Sequence, residues 1–206
     1  MSAVAIKPLT DADRGRWDAF VQSFPAATFC HRAGWQRVIA KAFGHPTHYA
    51  YAERDGRVTG VLPLTEIRSR LFGHALVSNA FGVYGGPVAA DADSRAALEA
   101  HALSVLEKTG AGHLEFRSEA AQTPGFLVKD SLYVTFRREI SPDHDANLKA
   151  VPRKHRAEVR KGIANALGIR VGHDARTLHR VYGESVRNLG TPVFPRRYFQ
   201  LLCAEF

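Results

Sequence analysis

Five cations, Arg153, Lys154, Arg156, Arg160 and Lys161, fall within nine residues of the stretch VPRKHRAEVRKGIANALGIRV, with Glu158 the one acid among them. At roughly 100° per residue, a helix sets Arg153, Arg156 and Arg160 within about 60° of one another, with Lys154 and Lys161 together at the flank. Guanidinium forks match phosphate oxygens in pairs and ammonium groups add point charge, so this face has the chemistry of a phosphate contact. Val159, Ile163, Ala166 and Leu167 gather on another side as a face to bury. Pro152 suits the first turn, where its missing N–H costs nothing. A solvated amphipathic helix would carry the same residues, and charge alone does not separate the two readings.

The segment FGVYGGPV, Phe81–Val88, is a second candidate. Gly82, Gly85 and Gly86 permit close approaches denied to other residues, and Tyr84 sets an aromatic face and a hydroxyl among them. Such glycines line a substrate cleft or build a turn. Arg117 in HLEFRS is a third. With Leu114 and Phe116 toward a core, Glu115 and Arg117 share the opposite face of a strand, as an ion pair or as an anchor for a substrate carboxylate or phosphate. Other chemistries lack their residues. There is no G-x-S-x-G elbow and no P-loop. His45 and His48 in GHPTH are interrupted by Pro46, and none of the 10 histidines has a convincing ligand set, so no metal is expected. Asp143 and Asp145 in SPDHD read as a capped or solvated turn.

The elements that must position these groups are mixed. AVAIKPL alternates as a strand, and a helix capped by Asp11 follows with Trp17, Phe20 and Val21 on one face. RAGWQRVIAKAFG carries the stripe Trp35, Val38, Ile39, Ala42 and Phe43, and Gly44 stops it. THYAYAE and VTGVLPLTEIRS alternate on either side of RDGR, a hairpin signal. ALVSNAFGVYGGPVA is a strand breaking into the glycine turn; residues 93–109 form a helix burying Leu98, Ala102, Val105 and Leu106. GHLEFRS, DSLYVTFRREI and IRVGHD read as strands, SPDHDANLKAVP as a polar connection, and ARTLHRVYGESVRNLG as a helix. A last helix in TPVFPRRYFQLLCAEF aligns Phe199, Leu202 and Phe206 and stops without a capping signal. Hairpins among helices predict a mixed α/β fold with a largely antiparallel sheet rather than a doubly wound parallel one.

Composition sets the class. The 206 residues are 45% hydrophobic, enough for a sizeable core, and no apolar run reaches the 18 residues of a membrane span. No secretory signal opens the chain, and Cys30 and Cys203 form no disulfide framework, so a reducing cytoplasm is expected. The net charge of +8 is uneven: residues 141–206 hold 3 Lys and 9 Arg against 6 acids, leaving +2 of the total for residues 1–140. That asymmetry points to a polyanionic partner. Without zinc-finger spacing, an RNA-recognition signature or interleaved aromatics, double-stranded DNA is not the expected partner, while an RNA backbone or a nucleotide diphosphate stays open.

The stretch TFCHRAGWQRVIAKAFGHPTHYAYAERDGRVTGVLPLTEIRSRLFGHALVSNAFGVYGGPVA resembles the N-terminal region of FemAB-like proteins. So does the later set HLEFRS, VPRKHRAEVRKGIANALGIRV and VRNLGTPVFPRRYFQLL. The likeness is nearest to the FemAB-related branch associated with exosortase (PEP-CTERM) and exopolysaccharide systems. The resemblance implies a GNAT-like acyltransferase fold, usually as two such domains in tandem. The best-known members move amino acids from aminoacyl-tRNA to an amine of a peptidoglycan precursor. It further implies residues 1–142 as one GNAT-like domain and 143–206 as the start of a second, truncated one, with the cationic helix at the entry to the second. No tightly bound cofactor is implied; the donor is aminoacyl-tRNA or acyl-CoA, and the acceptor a phosphorylated or nucleotide-linked envelope precursor. One departure bears on the donor. The [Q/R]-x-x-G-x-[G/A] loop of acetyl-CoA enzymes has no good match, because in VRKGIA Val159 holds the Gln/Arg position. On this reading Arg153, Lys154, Arg156, Arg160 and Lys161 contact phosphate, Tyr84, Gly85, Gly86 and Arg117 line the acceptor cleft, and no catalytic base stands out. A catalytically silent binding module and a coenzyme A-dependent N-acetyltransferase are the alternatives.

Overall fold

Asp55 and Gly56 both take positive φ, 50° and 73°, the geometry of a two-residue turn whose twist matches that of the strands it joins. In the computed structural model, which describes residues 2–71, 73–119 and 123–206, this turn links β2 (Ala50–Arg54) to β3 (Arg57–Leu62). β1 (Ala5–Pro8) pairs antiparallel with β2, and β6 (Val88–Ala89) with the far side of β3. Pro63 follows β3 directly. Proline lacks the N–H a ladder needs, and the expected single strand VTGVLPLTEIRS breaks there into two. The second piece, β4 (Leu64–Ser69), belongs to another sheet, antiparallel to β5 (Gly73–Ser78), which in turn lies parallel to β7 (Leu114–Phe116). The fold is therefore mixed α/β with largely antiparallel sheets, as expected.

Alternation along the strands divides the core. Tyr51 and Val61 face one side, where α1 (Arg14–Ser23), α2 (Gly34–Phe43) and α7 (Arg196–Glu205) contribute Trp17, Trp35, Val38, Ile39 and Phe199. Ala52 and Leu62 face the other, against Leu98, Ala102 and Val105 of α3 (Ala92–Thr109). Most of the expected apolar stripes are thus on the core side, with Trp17, Val21, Trp35, Val38, Ile39, Leu98, Ala102, Val105 and Phe199 buried and Phe20, Ala42, Phe43, Leu106 and Leu202 half-buried, whereas Phe206, expected on the same face as Phe199, is 40% exposed. Asp91 caps α3 by accepting from the Ser94 N–H, but the expected cap Asp11 lies inside a short 3-10 turn, Asp11–Asp13, and α1 starts after Asp13 without a side-chain cap.

By contact the chain forms two units, Met1–Gly125 with Asp174–Phe206, and Phe126–His173. α6 (Ala175–Asn188) and α7 belong to the first. The second holds α4 (His144–Ala150) and α5 (Arg153–Ala164). Here three expectations need correction. Residues 130–140 and 169–174 carry no strand; alternation says which side chains share a face, but a strand exists only with a hydrogen-bonded neighbour. The expected polar connection forms α4, with Asp143 accepting from the Asp145 N–H as its N-cap. The apolar side of α5 is not buried, since Val159 and Ile163 are 40% and 68% exposed and within this unit only the two-turn α4 packs beside it.

Candidate functional site

The glycine-rich segment begins where β5 ends. β5 and β7 are the one parallel pair among the described strands, and ligands of open α/β sheets bind outside the carboxyl ends of such strands. β5 runs into a turn closed by the Gly82 N–H donating to Asn79 O (3.1 Å), and β7 runs into Arg117 and Ser118. The two exits are tied together. The N–H groups of Gly85 and Gly86 donate to Arg117 O at 2.9 and 3.2 Å, and the Arg117 N–H donates to Ser78 Oγ at 3.1 Å. The Arg117 side chain reaches back as well, Nη1 donating to Gly82 O (2.9 Å) and Nε to Glu115 Oε1 (2.7 Å). The expected Glu115–Arg117 ion pair is therefore present, and the guanidinium also clamps the loop.

Gly85 and Gly86 are buried. A Cβ on Gly85 would lie 2.1 Å from Asn79 N, and one on Gly86 1.9 Å from Ser118 Oγ, so the close approaches these glycines permit are made by the protein's own chain. Tyr84 is half-buried between them and exposed Val83. Phe81 takes a φ of 63°, a left-handed conformation that is strained for a bulky residue. Its ring stacks on Phe43 at 4.2 Å, and packing of this kind holds the strain in place.

Beneath the loop lies a buried polar network that the sequence reading did not single out. His31 Nδ1 accepts from the Thr28 N–H at 3.0 Å, so the ring proton sits on Nε2, which donates to Gly86 O at 3.0 Å. Burial holds this imidazole below its ordinary pKa and keeps it neutral. Asn79 Nδ2 donates to Cys30 O (2.7 Å) and Asn79 Oδ1 accepts from Tyr49 Oη (2.9 Å), while Trp17 Nε1 donates to His31 O (2.7 Å). The spacing Thr28-x-x-His31, a capping box around a single helical turn, was the available signal; its link to a loop 55 residues away was not.

The cationic residues lie apart in kind. Arg153, Lys154, Arg160 and Lys161 are exposed along α5. Arg156 is half-buried, and its Nε and Nη2 donate to the carbonyls of Val151 and Lys149 at 2.8 and 2.6 Å, fastening the α4–α5 corner. They stand in the Phe126–His173 unit, and the loop with Arg117 in the other. Among the described residues no group of three or more His, Cys, Asp or Glu is placed to hold a metal, and no helix is long and apolar enough to cross a membrane.

No family model and no curated protein matches this chain. Among solved structures, the crystal structure of FemX is similar over 98% of this chain and 55% of its own, with a TM-score of 0.61 and 17% identity. The structure of a GNAT family acetyltransferase from Staphylococcus aureus subsp. aureus USA300_TCH1516 matches over 68% of this chain and all of its own, with a TM-score of 0.42 and 7% identity. The chain thus spans about half the length of FemX, and what it shares with FemX is the fold.

Proposed function

We propose that this chain serves N-acyl transfer, moving an aminoacyl or acyl group to an amine of a phosphorylated or nucleotide-linked cell-envelope or exopolysaccharide precursor in the cytoplasm. The observation that carries the reading is the FemX-like fold over 98% of the chain. The motif resemblance to the exosortase-associated FemAB-related branch supports it. On this reading residues 1–142 form the first GNAT-like domain and 143–206 open the second. In the reaction the amine lone pair attacks the acyl carbon, a C–N bond forms and the ester C–O or thioester C–S bond breaks; the amine gives up a proton and the leaving group takes one. An activated donor needs orientation and a stabilised oxyanion more than a triad, and no triad motif is present.

In this proposal Tyr84 and Arg117 face the acceptor at the β5–β7 exit, Gly85 and Gly86 shape that loop, and Arg153, Lys154, Arg160 and Lys161 take phosphates, their row suiting the backbone of a tRNA donor, while Arg156, expected among them, fastens the α4–α5 corner through Val151 O and Lys149 O. Val159 in place of Gln or Arg counts against coenzyme A. The test is to incubate the protein with charged tRNA and envelope precursors and follow the acceptor by mass. A mass gain of one acyl unit is expected. Saturable precursor binding without transfer would replace this reading with a silent binding module.

A further inference from the structure

Among the described residues, three that are not glycine take a positive φ: Asp55, Phe81 and Ala166. Asp55 lies in the β2–β3 turn and Ala166 just past the end of α5, where left-handed residues are routine. Phe81 is the bulky one. Its turn runs from Asn79 to Gly82, closed by the Gly82 N–H on Asn79 O. φ is not positive at Ala80 and is 63° at Phe81, the sign pattern of a type II turn, whose third residue is by preference glycine. Glycine would make this turn without strain, so the turn itself does not account for the side chain.

What accounts for it is a cage of rings. Phe81 stacks on Phe43 of α2 with 22° between the planes and meets Phe194 edge-on at 5.7 Å, and Phe194 also meets Phe43 edge-on at 5.9 Å. Tyr198 of α7 closes on Phe43 and Phe194 at 5.4 and 5.0 Å. Returning residue 81 to a negative φ would swing its ring out of the cage, and the same rotation reaches Arg117. The carbonyl of Gly82, next in the chain, accepts from Arg117 Nη1 at 2.9 Å, and the Gly85 N–H is tied to Arg117 O. Only Val83 and Tyr84 lie between those two ties.

We propose that Phe81 is a positioning residue: its caged ring fixes the Gly82 carbonyl and, through it, the Arg117 guanidinium at the β5–β7 exit. The strained backbone is kept because surrounding contacts over-determine it, and here those contacts come from α2 and the entry to α7. The loop is thereby held from two sides, by rings at Phe81 and by the β7 exit at Gly82, Gly85 and Gly86. The inference deepens the acyl-transfer reading and rests on it in one respect, that Arg117 faces the acceptor.

Amide hydrogen exchange on the full chain, followed by NMR, tests it. If residue 81 served only the turn, Phe81→Gly would keep or raise the protection of Gly85 and Gly86. With the ring as the clamp, Phe81→Gly and Phe43→Leu should each speed exchange at Gly85 and Gly86. The gain should be at least tenfold larger than at Leu98 and Ala102, which lie in the other core and report global unfolding. The Arg117 Nε–H resonance should shift in both variants, and Phe81→Tyr, which keeps the ring, should stay within threefold of wild type. In the transfer assay both variants should raise KM for the precursor tenfold and leave kcat within twofold. Wild-type protection in Phe81→Gly, an unchanged loop in Phe43→Leu, a Phe81→Tyr variant as open as Phe81→Gly, or a loss of kcat at unchanged KM would each overturn the role. A wild-type protein that transfers nothing would take the acceptor away from Arg117, while the exchange ratios, which need no ligand, still decide what Phe81 holds.

Discussion

Gly85 has no room for a single methyl group. With Asn79 N 2.1 Å from the ideal Cβ position, Gly85→Ala must push backbone against backbone, and overpacking of this kind costs about 1–3 kcal/mol. Gly15, in the first turn of α1, has nothing within 4 Å of that position, and Gly15→Ala should be neutral or gain up to ~1 kcal/mol. Urea unfolding of the two variants separates a packing glycine from a permissive one; equal midpoints would dismiss the close approach. Two buried groups contribute to the acid side of stability. Burial depresses the His31 pKa from 6.5, so the unfolded chain binds the proton more readily and stability falls as pH drops from 6.5 through the folded value. Burial also pushes the Glu66 carboxyl up, but hydrogen bonds from His48, Arg68 and His74 together outweigh it and leave the pKa below 4.5. That contribution is present above pH 4.5 and lost as pH falls through the folded value. In an unfolding series, His31→Gln should flatten the slope just below pH 6.5, and Glu66→Gln the slope below pH 4.5. A wild-type profile in both would remove these assignments.

At the scale of elements, much of what could be read locally was read. The Asp55–Gly56 turn, the stop of α2 at Gly44 and the buried stripe of α3 follow from neighbours a few residues apart. Three misses were local, the break of an expected strand at Pro63, the helix α4 in the expected polar connection and the cap expected from Asp11; the other failures were non-local. Residues 130–140 alternate as a strand should, yet pairing depends on an edge elsewhere in the chain, and the period is silent about edges. The candidate site divides in the same way. Glycines and Arg117 announced the loop, while His31, Asn79 and Tyr49 are ordinary polar residues until the fold buries them together. Capping is the local case that can be measured. Asp91 accepts from the Ser94 N–H and faces the Arg54 guanidinium at 3.3 Å, so Asp91→Ala should lower stability by about 1 kcal/mol or somewhat more, while Asp91→Asn, which keeps an N-cap oxygen, should lose less. Identical losses would mean that the charge, not the cap, holds the start of α3.

Over the whole molecule, charge is the property that reaches furthest. Of the net +8, residues 141–206 supply most, with 3 Lys and 9 Arg against 6 acids. A polyanion that neutralises such a surface releases counterions, so its affinity must fall with salt, by a log–log slope of about −0.7 to −0.9 per phosphate contacted. Arg156 is a poor place to test this, since its guanidinium is committed to the carbonyls of Val151 and Lys149 and reversal would disturb the α4–α5 corner. Arg153 and Arg160 are exposed and carry no such duty. If α5 holds the phosphates of a tRNA donor, Arg153→Glu with Arg160→Glu should weaken tRNA binding at least tenfold by fluorescence anisotropy. The salt slope should become shallower by one to two contacts, with unchanged helix content by circular dichroism. A generic cationic surface predicts something different: a small loss of affinity, with tRNA and heparin affected alike. A folded variant that keeps both the wild-type affinity and the wild-type slope would leave α5 as a solvated helix, and would detach the charge asymmetry from the transfer reaction.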